Sequence, residues 1–310
     1  MNDEAVLQLR NVTKKIGGRT IVDNLTFDVP RGEVFGFLGP NGAGKTTTIR
    51  MIVGLISMTK GEVFVKGISV RNHFELAMTH IGAIVENPEM YKFLTGYQNL
   101  KLFARRHAGV TKQRIDEVVK LVGLQTRIHE KVKRYSLGMR QRLGVAQALL
   151  HKPSVLIFDE PTNGLDPAGI RELRDYLRGL AQREGIAIIV SSHLLSEMEL
   201  MCDRVAIIQA GKLVDVRSMS ELKGAAGKQT VRIEVDDPER AMEYLAAALG
   251  LPDGSMTVRD GALEVAAERG LIPELNRRLV MADIDVYGIR AASASLEDQF
   301  LELTRGEQVV

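Results

Sequence analysis

The chain has 310 residues, 45% of them apolar, which is enough to bury a sizeable core and excludes a disordered segment. The formal net charge is only +2, so the molecule is no polycation, but the sign is uneven: residues from Lys228 onward carry −7 and those before carry +9. The single cysteine, Cys202, excludes an internal disulfide and suits a reducing compartment and a small buried side chain.

A basic main part suits polyphosphate ligands or an anionic membrane surface, although two ordinary solvated surfaces read the same way. The start, MNDEAVLQLR, lacks the basic and apolar regions of a secretory leader. No apolar run reaches the roughly 18 residues of a spanning helix, so any work at a membrane goes through a partner chain.

Along the chain, AVLQLRNVT and LTFDV alternate as antiparallel strands around a GGRT turn. GEVFGFLG is an apolar strand running into glycines, and KTTTIRMIVGL after it has helical spacing. GEVFVKG is another short strand. From about Asn87 to Gln147 the pattern is mostly helical, with Lys112–Leu121 amphipathic. PSVLIFDEP is a buried strand, ELRDYLRGLAQREG a helix stopped by Gly185, IAIIVSSH a second buried strand and VAIIQAGKLV a hairpin. Strands alternating with helices imply an α/β domain with parallel sheet.

The composition shifts at KGAAGK, 223–228, which reads as a linker between a main domain, 1–227, and a small domain, 228–310. In the second part the spacing predicts a strand at 229–236, a helix at 238–248, strands near 255–259 and 262–266, a helix at 271–281 and a strand at 284–289. This β-α-β-β-α-β order suggests a ferredoxin-like α+β unit. A last helix is expected over 296–304.

Three stretches carry chemistry. GPNGAGKTT comprises Gly39, Pro40, Asn41, Gly42, Ala43, Gly44, Lys45, Thr46 and Thr47, and matches the phosphate-loop pattern between a strand and a helix. Its glycines let backbone N–H groups close around phosphate oxygens. Lys45 reaches the β- and γ-phosphates, and the Thr46 hydroxyl is offered to Mg²⁺. VLIFDEP delivers Asp159 and Glu160 at the end of a buried strand. The first suits a Mg²⁺ shell, and the second can orient and deprotonate a water. YSLGM is a small turn opening a helix, where Ser136 and Gly138 make a second anion-binding turn far along the chain.

GPNGAGKTT, YSLGM, VLIFDEPTNGLD and VSSH stand in the order and spacing of an ATP-binding cassette (ABC) ATPase, which the chain resembles over roughly residues 5–220. The tail SASLEDQFLELT resembles the ending of cassettes that serve drug, lantibiotic and bacitracin exporters. The resemblance implies an α/β P-loop NTPase cassette with an antiparallel β subdomain and a helical subdomain. It implies ATP with Mg²⁺, a head-to-tail homodimer closed by ATP, and a separate transmembrane permease at the cytoplasmic side of the membrane, with no nucleic acid. It places Ser136 and Gly138 in the signature motif, Asp166 in the loop that signals between two sites, and His193 as the switch histidine, with Glu160 as general base. Leu137 and Met139 depart from the signature. Glu86 stands where a Mg²⁺-contacting Gln is usual, and Ile16 where an aromatic commonly stacks on adenine. The segment after Glu86, with Met90, Tyr91, Phe93, Leu94 and Tyr97, either docks the permease or cores the helical subdomain. Two other readings remain: a non-transport cassette acting on nucleic acid or ribosomes, and a regulatory module that turns ATP over slowly.

Overall fold

A computed structural model of the chain describes residues 5–86, 88–224, 229–250, 254–267 and 269–292. They divide into two compact units, Met1–Met219 and Ser220–Val310.

The first unit opens with β1 (Ala5–Ile16) and β2 (Arg19–Pro30), antiparallel strands joined at Gly17 and Gly18. β3 (Val34–Leu38) is buried along its whole length and runs through the phosphate loop into α1 (Lys45–Ile52). β4 (Lys60–Val65) and β5 (Ile68–Ser69) join the first sheet in the order β2-β1-β4-β5. Next come α2 (Phe74–Met78), β6 (Ile81–Ile84), α3 (Gly96–Ala104), α4 (Lys112–Leu121) and α5 (Leu137–Leu149). α3 begins in a capping box between Thr95 and Gln98, and the Thr111 side chain caps α4.

β7 (Val155–Asp159), α6 (Pro167–Glu184), β8 (Ala187–Ser192), α7 (Leu195–Met201), β9 (Arg204–Gln209) and β10 (Lys212–Ser218) complete the unit. α6 starts on the Asp166 cap with Pro167 in its first turn, and stops at Gly185 in the left-handed conformation. The second sheet has the order β10-β9-β3-β8-β7-β6, parallel except for β10 at its edge. Its central strands are continuous apolar runs because both faces are buried, one of them against α1 and the first sheet.

Phe27 of β2 meets Phe35 and Phe37 of β3, with ring centroids 5.6 and 5.1 Å apart. These rings sit in one core with Leu7, Leu9, Ile49 and Met51, so the phosphate-loop strand and α1 are packed directly on the antiparallel sheet. Each buried Phe contributes about 1.5–3 kcal/mol of transfer free energy, and each ring pair adds about 0.5–1.5 kcal/mol.

Four elements of the first unit, β5, α2, β6 and α7, have no counterpart in the sequence-based expectation. The expected linker also begins later than the helix found there: α8 (Met219–Gly224) takes in its first two residues, and 225–228 lie outside the described residues.

The second unit runs β11 (Gln229–Val235), α9 (Pro238–Leu249), β12 (Met256–Arg259), β13 (Ala262–Ala267), α10 (Ile272–Met281) and β14 (Val286–Ala292). Its sheet has the order β12-β13-β11-β14, every neighbour antiparallel. Val231, Ile233, Leu245, Leu263, Val265, Leu275 and Leu279 form its own core. The helix expected at 296–304, and the SASLEDQFLELT tail with it, lie outside the described residues.

Candidate functional site

The phosphate loop is shaped by close approaches. A Cβ on Gly39 would stand 2.2 Å from the Ile208 carbonyl oxygen of β9, so the loop passes the sheet only without a side chain. Gly44 caps α1 at φ 101°, the left-handed region that glycine reaches without strain. The first-turn amides of α1 have no intrahelical acceptor and face an oncoming anion with the positive end of the helix dipole. Inside the loop, Lys45 is 5% exposed. Its Nζ donates to the Gly39 and Pro40 carbonyls at 2.7 and 3.3 Å and lies 3.7 Å from Glu160 Oε1. Burial lowers the Lys45 pKa, and the negative charges of Glu160 and Asp159 oppose that shift.

The two acids sit at the carboxyl end of β7, one strand beyond β8 from the loop-bearing β3. Asp159 is 4% exposed, and its Oδ1 accepts a hydrogen bond from the Ser191 hydroxyl at 2.6 Å. Ser191 Oγ in turn accepts from the Glu160 N–H at 2.9 Å. Glu160 has φ 49°, a left-handed conformation that costs a non-glycine residue on the order of 1–3 kcal/mol. Its Oε2 accepts from Asn163 Nδ2 at 2.9 Å and lies 3.0 Å from His193 Nδ1. The carboxylate is thus held by Asn163, His193 and Lys45 while remaining partly open to solvent. Thr46 and Thr47 are half-buried at the start of α1.

A second cluster forms around YSLGM. Exposed Ser136 caps α5, its Oγ accepting from the Met139 N–H at 3.2 Å. A Cβ on Gly138 would meet only Leu165, at 3.9 Å, so this glycine faces open space. Leu137, the departure from the usual signature, rests on Gly164, where an added Cβ would be 2.9 Å from it. Asp166 caps α6 from the same loop, accepting from the Gly169 N–H at 2.8 Å. The signature turn and the Asp166 loop are therefore neighbours. No hydrogen bond or ion pair among the described residues joins them to Lys45, Asp159, Glu160 or His193.

Glu86 is exposed, at φ 68°, and forms an ion pair with Arg50 on the outer side of α1. Ile16, at the tip of the β1–β2 hairpin, is 53% exposed. The apolar segment after Glu86 divides: Met90 is buried, Leu94 and Tyr97 are half-buried, and Tyr91 and Phe93 are exposed as an edge-to-face pair with ring centroids 5.8 Å apart. Buried Asn99 fixes that segment by accepting from the Tyr91 N–H and donating to the Tyr91 and Thr95 carbonyls.

Sequence reasoning passed over Ser191 and Asn163, which hold the two acids, and Arg50, which holds Glu86. Ser191 lies inside VSSH and Asn163 inside FDEPTNGLD, so both were within view of the motifs. Thr162, Ser192 and Glu197 form a further small network, with Glu197 Oε2 accepting from both hydroxyls at 2.8 and 2.7 Å. Among the described residues no cluster of three or more His, Cys, Asp or Glu side chains could hold a metal alone, and no helix is long and apolar enough to cross a membrane.

Residues 22–163 match the ABC transporter family. An uncharacterized ABC transporter ATP-binding protein of Bacillus subtilis (strain 168), YhcH, is 56% identical over 97% of this chain and 96% of its own. The bacitracin transport ATP-binding protein BcrA of Bacillus licheniformis is 40% identical over 97% of this chain and 98% of its own. Among solved structures, an ATP-binding subunit of an ABC transporter superposes with a TM-score of 0.63 at 27% identity, covering 72% of this chain and 93% of that one. The cbiO1 protein of Clostridium perfringens shares the fold with a TM-score of 0.66, at 23% identity over 79% of this chain and 96% of that one. The chain belongs to the ABC transporter family, as an ATP-binding subunit with the ATPase activity of that family.

Proposed function

We propose that this subunit powers export of a peptide antibiotic or drug through a separate membrane permease, seated on the cytoplasmic face of that membrane. The observation that carries the substrate class is the likeness to BcrA along nearly the whole of both chains. Exposed Tyr91 and Phe93 are the side chains of the helical part that suit docking of the permease.

The chemistry is positioning and electrostatics. Lys45 exchanges the Gly39 and Pro40 carbonyls for phosphate oxygens, and the loop amides cradle the rest of the triphosphate. Glu160 accepts the proton of the attacking water, and Asn163 and His193 set its carboxylate. His193 then meets the γ-phosphate from its exposed edge. Hard oxygen donors at Thr46 and Asp159 fit Mg²⁺, and buried Asp159 is an acid whose charge a divalent ion would balance. When bound, the ion neutralises charge on the phosphates. Glu86 is a possible third donor by chemistry, and its pairing with Arg50 offsets the charge it adds.

Ser136 and Gly138 serve the ATP of a second copy. They are open on the surface and are separated from the same chain's phosphate loop. Two copies related by a two-fold axis form two composite sites, with Asp166 beside the seam. The test is light scattering with ATP in a Glu160→Gln background, which removes the base and keeps its shape. The parent dimerises. Gly138→Asp, which the open surface around Gly138 accommodates, binds ATP as a monomer but does not dimerise, because its carboxylate faces a γ-phosphate in a desolvated seam. Dimerisation equal to that of the parent would refute the composite site. Export is tested separately, by whether cells expressing the chain with its permease lose bacitracin resistance on Glu160→Gln.

A further inference from the structure

The phosphate loop, Asp159 and Ser192 all lie at the carboxyl ends of β3, β7 and β8. A second cleft lies at the other end of these strands, where Gly32, Ser154 and Ile186 precede them. β3 has five residues, so the two ends are roughly 16 Å apart. The cleft has a volume of about 1750 Å³, ample for a small ligand.

Its lining is strongly cationic. Arg31, Lys66, Arg114, Lys120, Lys152 and Arg183 face it, against the two carboxylates Glu117 and Glu184. A concave wall of one sign concentrates counter-ions. The arginines are already engaged by the fold. Arg31 donates to the Gly185 carbonyl at 2.9 Å, and Arg183 to that of Gly179 at 3.2 Å. Arg114 donates to the carbonyls of Leu149 and Leu150 and pairs with Glu117 at 3.2 Å. The ammonium groups of Lys66, Lys120 and Lys152 make no hydrogen bond or ion pair among the described residues.

Tyr176 lines the same cleft, and its hydroxyl oxygen is closed to solvent. Val6, Leu121 and Leu180 add apolar surface between the charges.

We propose that this cleft is a second anion site, which takes a small soluble organic phosphate with two or more negative charges on Lys66, Lys120 and Lys152. Lysines are mobile point charges suited to phosphate, and the Nη groups of Arg31 and Arg183, whose Nε atoms are held by backbone carbonyls, add charge beside them. The apolar wall receives the organic body.

The test separates this site from the phosphate loop. Pyrophosphate is titrated calorimetrically into the full chain carrying Lys45→Ala, in which the loop's own grip is weakened. One equivalent binds. Adding Lys66→Glu with Lys152→Glu weakens it by about tenfold or more, as loss of charge pairs does. Lys120→Glu alone weakens it severalfold. An unchanged melting temperature shows that the lysine variants are folded. The proposal is overturned if pyrophosphate does not bind the Lys45→Ala chain, or if the lysine changes leave its affinity unaltered. It is also overturned if the lysines govern only sedimentation with phosphatidylglycerol vesicles, since a membrane headgroup would then be the partner.

Discussion

Ser191 sets the geometry of both acids without being one. Its hydroxyl donates to Asp159 and accepts from the backbone of Glu160, so a single side chain joins the ends of β7 and β8. Ser191→Ala leaves a buried carboxylate oxygen and an amide without their partner. The expected cost is about 1–3 kcal/mol, read from the urea midpoint. Turnover should fall while ATP affinity changes little, because Lys45 and the loop amides are untouched. Unaltered stability and turnover would show that water replaces the hydroxyl. Lys45, Asp159 and Glu160 were legible in the sequence because their roles follow from residue type, spacing and a flanking apolar strand. Ser191 was not, since a serine in a buried strand gives no sign of which partner it will meet 32 residues away. The Leu137 departure also became intelligible only in three dimensions, as a contact with Gly164.

Among the elements, β3 with its loop is the most constrained. Gly39→Ala would drive a methyl group into a main-chain oxygen of β9, which cannot rotate away as a side chain would. The loop must shift, at about 1–3 kcal/mol or more. The expected result is a lower melting temperature together with weakened ATP binding. Normal binding in a titration would mean that the loop tolerates the displacement. Elements with their own signals were readable: α4 spans Lys112–Leu121 as expected, with its apolar stripe and its Thr111 cap, and Gly185 ends α6. β6 is only Ile-Gly-Ala-Ile, and its identity as a strand comes from pairing with β7. α7 has seven residues and no side-chain cap, so its helical state depends on tertiary packing of Leu195, Met198 and Met201.

For the whole molecule, each unit has its own core, one built around the Phe27–Phe35–Phe37 rings and the other around Val231, Leu263 and Leu275. A chain ending at Gly227 is expected to stay soluble and to bind ATP as the full chain does, measured by nucleotide titration. Aggregation of that chain would show that the second unit shields apolar surface of the first. The element order of the second unit was legible because hydrophobic periodicity and turn residues act locally, whereas the short β5, α2, β6 and α7 of the first unit were not. The division of site residues into two clusters was expected from the resemblance to a head-to-tail dimer, and not from spacing alone.

β3 is synthesised early but finds its sheet neighbours late. Its partners are β8 and β9, about 150 residues further along, so its pairing is strongly non-local and slow by nature. At a ribosomal rate of about 5–20 residues per second, the Val-Phe-Gly-Phe-Leu strand waits roughly 8–30 s for them. During that interval an apolar segment is without its sheet, and the phosphate loop has no rigid base even though every residue of its motif has been made. Nascent chains stalled with residue 186 just outside the exit tunnel should therefore not be retained on immobilised ATP, whereas chains stalled with residue 218 outside should be. Retention of the shorter chains would mean that the loop gains its shape from the antiparallel sheet alone.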